Sequence, residues 1–278
     1  MTSTQTEKCR AFHALHQRPG AFVIPNPWDV GTALYLQSLG FKALATTSGG
    51  AAFSLGKHDG GVPLAAMLGH IRALALSTEV PVNADFESGH SADMRVMAAN
   101  VRLCVEAGVA GLSIEDSTGD SARPLYEVAQ AVERVRAARA AIDASGMPVV
   151  FTARAEAVLL GIEGGFEDAL KRLVAFAEAG ADCLYAPGLR TAEQVTTLVK
   201  AVAPKPVNVL VGAPGFTVRQ LEDLGVRRIS VGGALARCAW GGFMRAAKEI
   251  AEKGTFESFA EGAAYRDIDG FFRGLANG

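Results

Sequence analysis

The feature that most constrains the fold is a sequence pattern that recurs along the chain: a segment with helical periodicity, then a glycine, then a short apolar run. It occurs around Gly40, Gly108, Gly180 and Gly225. A glycine at such a point is typical of a helix C-terminus, where a residue with left-handed backbone angles ends the helix. The apolar run that follows is typical of a parallel strand with both faces buried. The chain therefore consists of repeated helix-to-strand units, although these units do not duplicate one another in sequence.

Eight strands and eight helices are predicted in strict alternation. The strands lie near residues 22–26, 43–48, 81–86, 111–115, 149–154, 183–187, 207–212 and 228–232. The helices lie near residues 28–39, 63–77, 92–107, 126–145, 166–179, 191–202, 216–224 and 235–253. This alternation favours a (β/α)₈ TIM barrel. A doubly wound open sheet is the alternative, but the number of units and the absence of a GxGxxG motif favour the barrel.

We predict a single barrel domain over residues 1–278, because no linker or low-complexity segment interrupts the pattern. Residues 256–275 are predicted to form an extra C-terminal helical extension after the eighth unit. The aromatic residues of this extension are Phe256, Phe259, Tyr265, Phe271 and Phe272. Such a surplus helix packs either on its own barrel or on a partner subunit.

Composition excludes several classes of function. The 278 residues carry a formal net charge of −2 and no basic stripe, which argues against a nucleic-acid partner. No apolar stretch reaches ~18 residues, so no membrane span is expected, and the N-terminus lacks the apolar core of a signal peptide. The four cysteines are widely spaced without a CxxC pair, which argues against a zinc site or a disulfide framework. We therefore expect a cytoplasmic protein.

Two neighbouring strands end in carboxylates, at Asp85 and Glu87 after the third strand and at Glu115 and Asp116 after the fourth. Buried charge is costly unless it is paired or binds a metal, and the active site of a barrel lies at the C-terminal ends of its strands. These acids therefore predict one acidic site. Oxygen ligands of this kind suit Mg²⁺, which takes one or two carboxylates and keeps several waters, with Mn²⁺ as the alternative ion.

Residues at other strand ends are predicted to bind an anionic substrate. Arg154, at the end of the fifth strand, is a planar two-pronged donor suited to a carboxylate or a phosphonate. Thr47, Ser48 and Gly49 offer hydroxyls and exposed amides for a second anionic group. Asn208 on the seventh strand is a further substrate-binding candidate. A metal together with these groups suits a small oxoacid.

Structural interpretations of the same residues stay open. Asp85 and Glu115 could pair with Arg154 purely as a structural ion cluster, although such a pair often stabilises no better than apolar packing would. The residues that could instead be loop or helix-cap acids are Glu87, Asp116 and Glu156. His58 and His90 lie near strand ends and are interpreted as solvated loop residues.

Several stretches, taken together, resemble the isocitrate lyase/phosphoenolpyruvate mutase superfamily. These stretches are residues 41–50, 55–59, 81–85, 108–116 and 153–156, within a strand-by-strand match over residues 20–250. The resemblance implies a barrel with Mg²⁺ that makes or breaks a C–C or P–C bond next to an oxoacid. The metal and an arginine would hold the oxoacid and stabilise an enolate-like state.

The resemblance also assigns roles to particular residues. It implies metal-site acids at Asp59, Asp85 and Glu115, with Arg154 holding the oxoacid. We therefore predict Arg154, Glu115 and Asp59 as catalytic residues, and Asp85, Glu87 and Glu115 as metal ligands. The resemblance further implies a homo-oligomer, a tetramer or a dimer, in which the last barrel helix is swapped between subunits.

Three departures from the superfamily pattern narrow the function. The usual Asp-Ala-Asp is Asn83-Ala84-Asp85 here, so an amide replaces the first carboxylate and Asp85 or Glu87 is expected to take over. Residues 117–126 contain neither the Cys nor the His of the lyase lid, which argues against a standard methylisocitrate lyase. Ala45 stands where the mutase has an aromatic residue near the end of the second strand, which argues against a mutase.

Three hypotheses for the function follow. The leading one is a Mg²⁺-dependent lyase that cleaves, decarboxylates or hydrolyses a C–C bond of a small 2-oxo or 2-hydroxy dicarboxylate through a metal-stabilised enolate. The second is a mutase or hydrolase that acts on a P–C bond of a phosphonopyruvate-like compound. The third, prompted by the missing lid residues, is a catalytically silent protein that binds an oxoacid.

Overall fold

The computed structural model describes residues 3–276, and its strands form one eight-stranded parallel sheet. The strands are β1 (Phe22–Ile24), β2 (Leu44–Ala45), β3 (Val82–Asp85), β4 (Gly111–Glu115), β5 (Val150–Arg154), β6 (Cys183–Tyr185), β7 (Val207–Leu210) and β8 (Arg228–Ser230). They pair in the order β1-β8-β7-β6-β5-β4-β3-β2. The amide of Ala45 donates to the carbonyl oxygen of Pro25 at 3.1 Å and so links the two ends of the sheet. The predicted TIM barrel is confirmed.

Helices alternate with these strands as predicted, with two additions. The helices are α1 (Gln5–Gln17), α2 (Val30–Ser38), α3 (Ser48–Ser54), α4 (Leu64–Ser77), α5 (Met94–Glu106), α6 (Val128–Ala144), α7 (Gly165–Glu178), α8 (Ala192–Val202), α9 (Val218–Asp223), α10 (Ala234–Lys253) and α11 (Tyr265–Ala276). Neither α1 nor α3 is among the helices predicted from the sequence. The second strand, predicted over 43–48, ends at Ala45 because the side chain of Thr47 caps α3 and Ser48 already belongs to that helix.

Helix α1 closes the lower end of the barrel. A capping box begins it, in which the Glu7 amide donates to Thr4 Oγ1 at 3.3 Å and the Thr4 amide donates to Glu7 Oε2 at 2.8 Å. Phe12 of this helix is fully buried. A Cβ on Gly111 would lie 2.6 Å from Phe12 Cε1, so β4 must begin with a glycine for α1 to approach this closely.

A polar layer fills the barrel between α1 and the carboxyl ends of the strands. Arg228 is 2% exposed and donates from Nε to Asn208 Oδ1 at 2.9 Å and from Nη2 to Thr152 Oγ1 at 3.0 Å. Its Nη1 lies 3.3 Å from His16 Nε2. Burial, together with the positive charge of Arg228, lowers the pKa of His16 to about 3, so this imidazole is neutral and accepts the bond. The layer gives the site above it a fixed floor.

The chain divides into two compact units, the first ending at Ala234 and the second beginning at Leu235. The second unit holds most of α10, a short 3₁₀ helix (Glu257–Glu261) and α11. Glu249 ties this unit together by accepting hydrogen bonds from the amides of Glu257 and Ser258 at 2.7 and 2.8 Å. The single domain over 1–278, the role of 256–275 as an extension and the helix swap stay predictions.

Within residues 3–276, no helix has both the length and the apolar content that crossing a bilayer requires.

Candidate active site

One arginine at the mouth of the barrel contacts three carboxylates. Arg154 ends β5 and donates from Nη2 to Glu156 Oε2 at 3.0 Å, while its Nε donates to the other oxygen of the same carboxylate. Its Nη1 lies 3.4 Å from Asp85 Oδ1 and 3.3 Å from Glu115 Oε2. The side chain is only 16% exposed. The structure therefore brings together the predicted residues Asp85, Glu115 and Arg154 at the ends of three successive strands.

The acids of this cluster outnumber its single guanidinium. Glu87 makes no hydrogen bond through Oε1 to any of residues 3–276, although that atom is buried. Burial and then the charges of Asp85, Glu115 and Asp59 raise the pKa of Glu87 to about 7. Burial also raises the pKa of Glu115 to about 7, against the lowering effect of Arg154. Two carboxyl groups that titrate near neutrality and repel one another indicate a site that lacks positive charge.

Helix α3 holds Asp85 from the neighbouring strand end. The Ser48 amide donates to Asp85 Oδ2 at 3.1 Å, and the Asp85 amide donates to Thr46 Oγ1 at 2.9 Å. The side chain of Thr47 caps α3 by accepting from the Gly50 amide at 3.2 Å. Part of the predicted anion-binding segment thus serves Asp85 and the helix itself, because the first amides of a helix have no partner within it.

Asp59 reaches the site from an exposed loop. A Cβ on Gly49 would lie 3.2 Å from Asp59 Oδ2, so the absence of a side chain at Gly49 lets this carboxylate approach α3. Asp59 also contributes to the raised pKa of Glu87, although it adds less than Asp85 and Glu115 do. The predicted fourth acid therefore lies beside the other three.

The loop after β3 has strained backbone at two residues. Glu87 has φ 47° and His90 has φ 56°, both in the left-handed region that residues other than glycine seldom adopt. The ring of His90 packs 5.0 Å from that of Phe86, and its Nε2 is buried with no hydrogen-bond partner among the residues that the structure describes. The interpretation of His90 as a solvated loop residue is wrong for this nitrogen. Strain of this kind collects at functional sites.

Asn208 lies away from the acids. Its Nδ2 donates to Ser230 Oγ at 3.0 Å and its Oδ1 accepts from Arg228, so both ends of the amide are used inside the barrel. Substrate binding by Asn208 stays a prediction.

A residue not predicted from the sequence is Tyr185 at the end of β6, whose ring centre lies 5.3 Å from Arg154 Cζ. Its position at a strand end was a readable signal.

Asn83 also faces the floor of the barrel and not the acids. Its Nδ2 donates to the carbonyl oxygen of Ala84 at 3.2 Å, and a Cβ on Gly111 would lie 2.7 Å from its Oδ1. Two residues along a strand amount to about 6.6 Å, which separates this amide from Asp85. The acids at the β3 end are Asp85 and Glu87, and the expectation that one of them takes over from Asn83 stays a prediction.

The second acid of the β4 end belongs to a separate cluster. Asp116 accepts from the Glu156 amide at 2.9 Å and from Arg172 Nη1 at 3.2 Å. Arg172 also donates to Asp168 Oδ2 at 2.6 Å and to the carbonyl oxygen of Tyr126 at 2.7 Å. Burial raises the pKa of Asp116 to about 6. Both carboxylate oxygens of Asp116 have donors, so this cluster positions Glu156 and the segment around Tyr126.

The segment after Asp116 is a self-contained hairpin. Ser117 and Leu125 form an antiparallel bridge, and the Thr118 amide donates to the carbonyl oxygen of Pro124 at 2.9 Å. The side chain of Asp120 caps the turn by accepting from the Ala122 amide at 2.9 Å. The hydrogen bonds of this hairpin lie largely within the segment, and the exception is the Ser117 hydroxyl, which donates to Glu115 Oε1 at 2.7 Å.

The acid cluster fits a hydrated divalent cation better than a fully protein-bound one. Among the residues described, no group of three or more His, Cys, Asp or Glu side chains is arranged to enclose a metal ion. Mg²⁺ needs only one or two carboxylates, because it keeps several waters. The buried free oxygen of Glu87 and the excess of acids over Arg154 match that need. The ligand assignment to Asp85, Glu87 and Glu115 stays a prediction.

Comparison with known proteins gives consistent likenesses. Residues 12–251 match the profile of the phosphoenolpyruvate phosphomutase family. A solved structure from Burkholderia cenocepacia J2315, described as a candidate lyase or mutase, superposes with a TM-score of 0.93 at 46% identity, covering 97% of each chain. The 2-methylisocitrate lyase of Escherichia coli K12 is 34% identical over 182 residues, which are 63% of this chain and 60% of that enzyme.

A structure of oxaloacetate acetylhydrolase in complex with the product oxalate has a TM-score of 0.84 at 25% identity, covering 98% of this chain and 96% of that one. The names oxaloacetate acetylhydrolase and 2-methylisocitrate lyase both refer to reactions of small oxygen-rich acids.

Proposed function

Because the chain belongs to the phosphoenolpyruvate phosphomutase family, we propose that it is a Mg²⁺-dependent lyase for a carbon–carbon bond of a small 2-oxo or 2-hydroxy dicarboxylate. That membership confirms the superfamily resemblance noted in the sequence motifs. One observation carries the proposal: an acid cluster around Arg154 with more carboxylates than cations and a buried, partnerless oxygen on Glu87. Decarboxylation and hydrolysis of the same class of substrate are variants of this reaction.

Asp85, Glu87 and Glu115 are the candidates to hold a hydrated Mg²⁺, which needs only one or two of them as direct ligands. When bound, the ion supplies Lewis-acid polarisation of the oxo oxygen beside the bond that breaks. The chain's own part is to keep these three carboxylates together, which the Ser48 amide does for Asp85 and which Ser117 Oγ does for Glu115 by donating to its Oε1 at 2.7 Å.

Arg154 is proposed to bind the substrate carboxylate through one edge of its guanidinium. Glu156 fixes the Nε and Nη2 edge. The Nη1 contacts to Asp85 and Glu115, at 3.4 and 3.3 Å, are long, so Nη1 is the edge that a substrate carboxylate can share. Glu156 thereby orients the guanidinium of Arg154, and the guanidinium in turn orients the substrate.

Thr47, Ser48 and Gly49 stay the proposed site for a second anionic group of the substrate, which would compete with Asp85 for the Ser48 amide. Glu115 and the nearby Asp59 are the candidates for proton transfer. Burial raises the pKa of Glu115 to about 7, so this carboxyl can both give and take a proton near neutral pH.

Two other functions have specific support. The family profile is named for a phosphomutase, which favours a P–C bond substrate of the phosphonopyruvate type. The hairpin over residues 117–125 lacks the Cys and His of a lyase lid, which favours a protein that binds an oxoacid without turning it over. The residue at the end of the second strand, Ala45, argues against the first of these.

A substrate panel separates the three functions. The full chain is assayed with oxaloacetate, 2-methylisocitrate and phosphonopyruvate, each with Mg²⁺ and with EDTA. We expect Mg²⁺-dependent turnover of an oxoacid, and a loss of about 10²–10³-fold in kcat/KM for Asp85→Ala. Glu133→Ala, which removes an exposed acid of α6, is the control and should keep full activity.

The other outcomes are equally definite. Turnover of phosphonopyruvate alone would favour P–C chemistry. Thermal stabilisation by an oxoacid without turnover would favour the silent binder. If neither Mg²⁺ nor any compound of the panel changes turnover or thermal stability, the proposal is wrong.

We also propose that the protein works as a homo-oligomer. Its second unit carries exposed apolar side chains, of which Phe243 is 61% and Tyr265 81% exposed. Patches of this kind mark interaction surfaces. Light scattering on the purified chain tests the proposal, and a monomer at micromolar concentration would contradict it. The cytoplasmic location stays a prediction.

A further inference from the structure

The loop after β3 is held by a buried arginine from α6. Arg134 is 2% exposed, and its Nη2 donates to the carbonyl oxygens of Ser88 and Ser91 at 2.5 and 2.8 Å. Its Nη1 donates to the carbonyl oxygen of Ala92 at 3.1 Å. One guanidinium therefore binds three of the carbonyls that directly follow Glu87.

Three further contacts complete this support. Asn100 of α5 is 5% exposed, and its Nδ2 donates to the carbonyl oxygen of Gly89 at 2.9 Å. A Cβ on Gly89 would lie 2.5 Å from Met97 Cγ, so the loop packs against α5 with no spare room. The Cζ atom of Arg134 lies 4.3 Å from the ring centre of Tyr126, and this contact fixes the guanidinium.

These contacts act on a strained segment. Glu87 and His90 have φ angles of 47° and 56°, which the loop can keep only while its surroundings impose them. Without that support the backbone would relax, and the Glu87 side chain would be free to turn toward water. Burying a charged guanidinium only to bind backbone carbonyls is costly. A need for this loop geometry therefore explains Arg134 better than packing does.

We propose that Arg134 and Asn100 are positioning residues that hold the backbone at Glu87, so that its carboxylate stays beside Asp85 and Glu115 for the divalent cation. The proposal rests on the proposed function, because it takes the acid cluster to be a metal site. Groups that orient metal ligands from outside typically change metal affinity by about 10–100-fold when they are removed.

Titration of Mn²⁺ into the full chain, followed by electron paramagnetic resonance, tests this without any substrate. Arg134→Met is compared with wild type and with Arg139→Met. Arg139 lies on the same helix and is also largely buried, but it pairs with Asp143 and Asp182 at 2.8 and 3.0 Å and not with the loop. It is therefore a matched control for the loss of an arginine.

We expect the Kd for Mn²⁺ to rise about 10–100-fold in Arg134→Met and to stay at the wild-type value in Arg139→Met. In a Glu87→Gln background, Arg134→Met should raise the Kd no further, because the ligand through which it acts has been removed. Circular dichroism on the same samples establishes that each variant is folded.

A folded Arg134→Met variant with the wild-type Kd would overturn the proposal, and so would an effect that persists undiminished in the Glu87→Gln background. If Arg134→Met does not fold, Asn100→Ala decides: a higher Kd supports the proposal and an unchanged Kd overturns it. If wild type itself binds no Mn²⁺, the metal site fails and the proposed function fails with it. If wild type binds Mn²⁺ and the variants have the same Kd, only the positioning role fails. The two failures can therefore be told apart.

Discussion

Two arginine–carboxylate clusters lie side by side in this barrel, and two adjacent residues of the chain contribute a carboxylate to each. Glu115 joins the cluster of Arg154, whereas Asp116 joins the cluster of Arg172. In the Arg172 cluster every carboxylate contact is matched by a donor. In the Arg154 cluster three acids share one guanidinium, and Glu87 beside them has a buried oxygen with no partner.

Burial alone does not mark a functional site. Burial raises the pKa of Glu87 to about 7 and that of Asp116 to about 6, so both acids are perturbed in the same direction. What separates them is the supply of hydrogen-bond donors, which is complete around Asp116 and incomplete around Glu87. A site kept short of positive charge lowers stability in return for the capacity to bind a cation.

The largest effect on stability is expected in the Arg172 cluster, which we call closed because both oxygens of Asp116 have donors. Asp116→Asn turns an amide NH₂ toward Arg172 Nη1, where Asp116 Oδ2 now accepts at 3.2 Å, so two donors face each other. We expect a loss of about 1–3 kcal/mol in the free energy of unfolding, measured by urea denaturation. Asp168→Asn, on the more exposed partner of Arg172, is the control and should cost less. An Asp116→Asn protein as stable as wild type would show that the cluster is not closed.

The same acid-to-amide change should have the opposite effect on the free energy of unfolding in the Arg154 cluster, which we call open because Glu87 Oε1 has no donor among the described residues. Glu87 has no hydrogen bond to lose at Oε1, and its charge is opposed by Asp85 and Glu115. Glu87→Gln is therefore expected to stabilise the protein in EDTA at pH 8 by about 1 kcal/mol, in urea denaturation. Destabilisation of similar size would mean that the carboxylate is satisfied without a metal, and the contrast between the clusters would fail.

The gain from Glu87→Gln should depend on pH. The pKa of Glu87 is about 7 in the folded protein, above its ordinary 4.5, so the folded state keeps a proton that the unfolded chain loses in this window. Wild-type stability from this group is therefore present below about 4.5 and lost as pH rises through about 7. The stability difference between variant and wild type should grow over the same window and level off above it.

The histidines do not disturb this measurement, because both proteins carry the same ones and their contributions cancel in the difference. A difference that is flat between pH 5 and pH 8 would show that Glu87 does not titrate there, and the shortage of positive charge around it would need another explanation.

How much of this was predictable follows from where each signal resides. The barrel was predictable because parallel strands with both faces buried are apolar runs, and the acids at the ends of β3 and β4 interrupt them. Helix α1 was missed although its capping pair, Thr4 and Glu7, can be read from the sequence. Helix α3 was missed because its first turn contains two glycines, Gly49 and Gly50, which are poor helix formers.

In the site, the chain indicates which acids converge but not how they are held. The left-handed backbone of Glu87 and the bonds from Arg134 to the carbonyls beyond it depend on tertiary partners 42 to 46 residues away. Backbone carbonyls are the same at every residue, so no local pattern marks the ones that a distant arginine will bind. The same holds for Asn208, since its position on β7 was visible in the sequence but the hydrogen bond from Arg228 was not.

The smallest effect is expected in a third acid–arginine pair, which lies on the hairpin. Arg123 and Asp120 are 4.0 Å apart, and their side chains are 87% and 52% exposed. Water screens such a pair, so Arg123→Ala should change the free energy of unfolding by less than about 0.5 kcal/mol and leave kcat/KM on the best oxoacid of the panel unaltered. The stability result would complete a series in which the effect of an acid–arginine contact follows its burial. A large drop in kcat/KM with unchanged stability would instead show that the hairpin supplies a group to the reaction, and Arg123 would then fill the place of the missing lid residue.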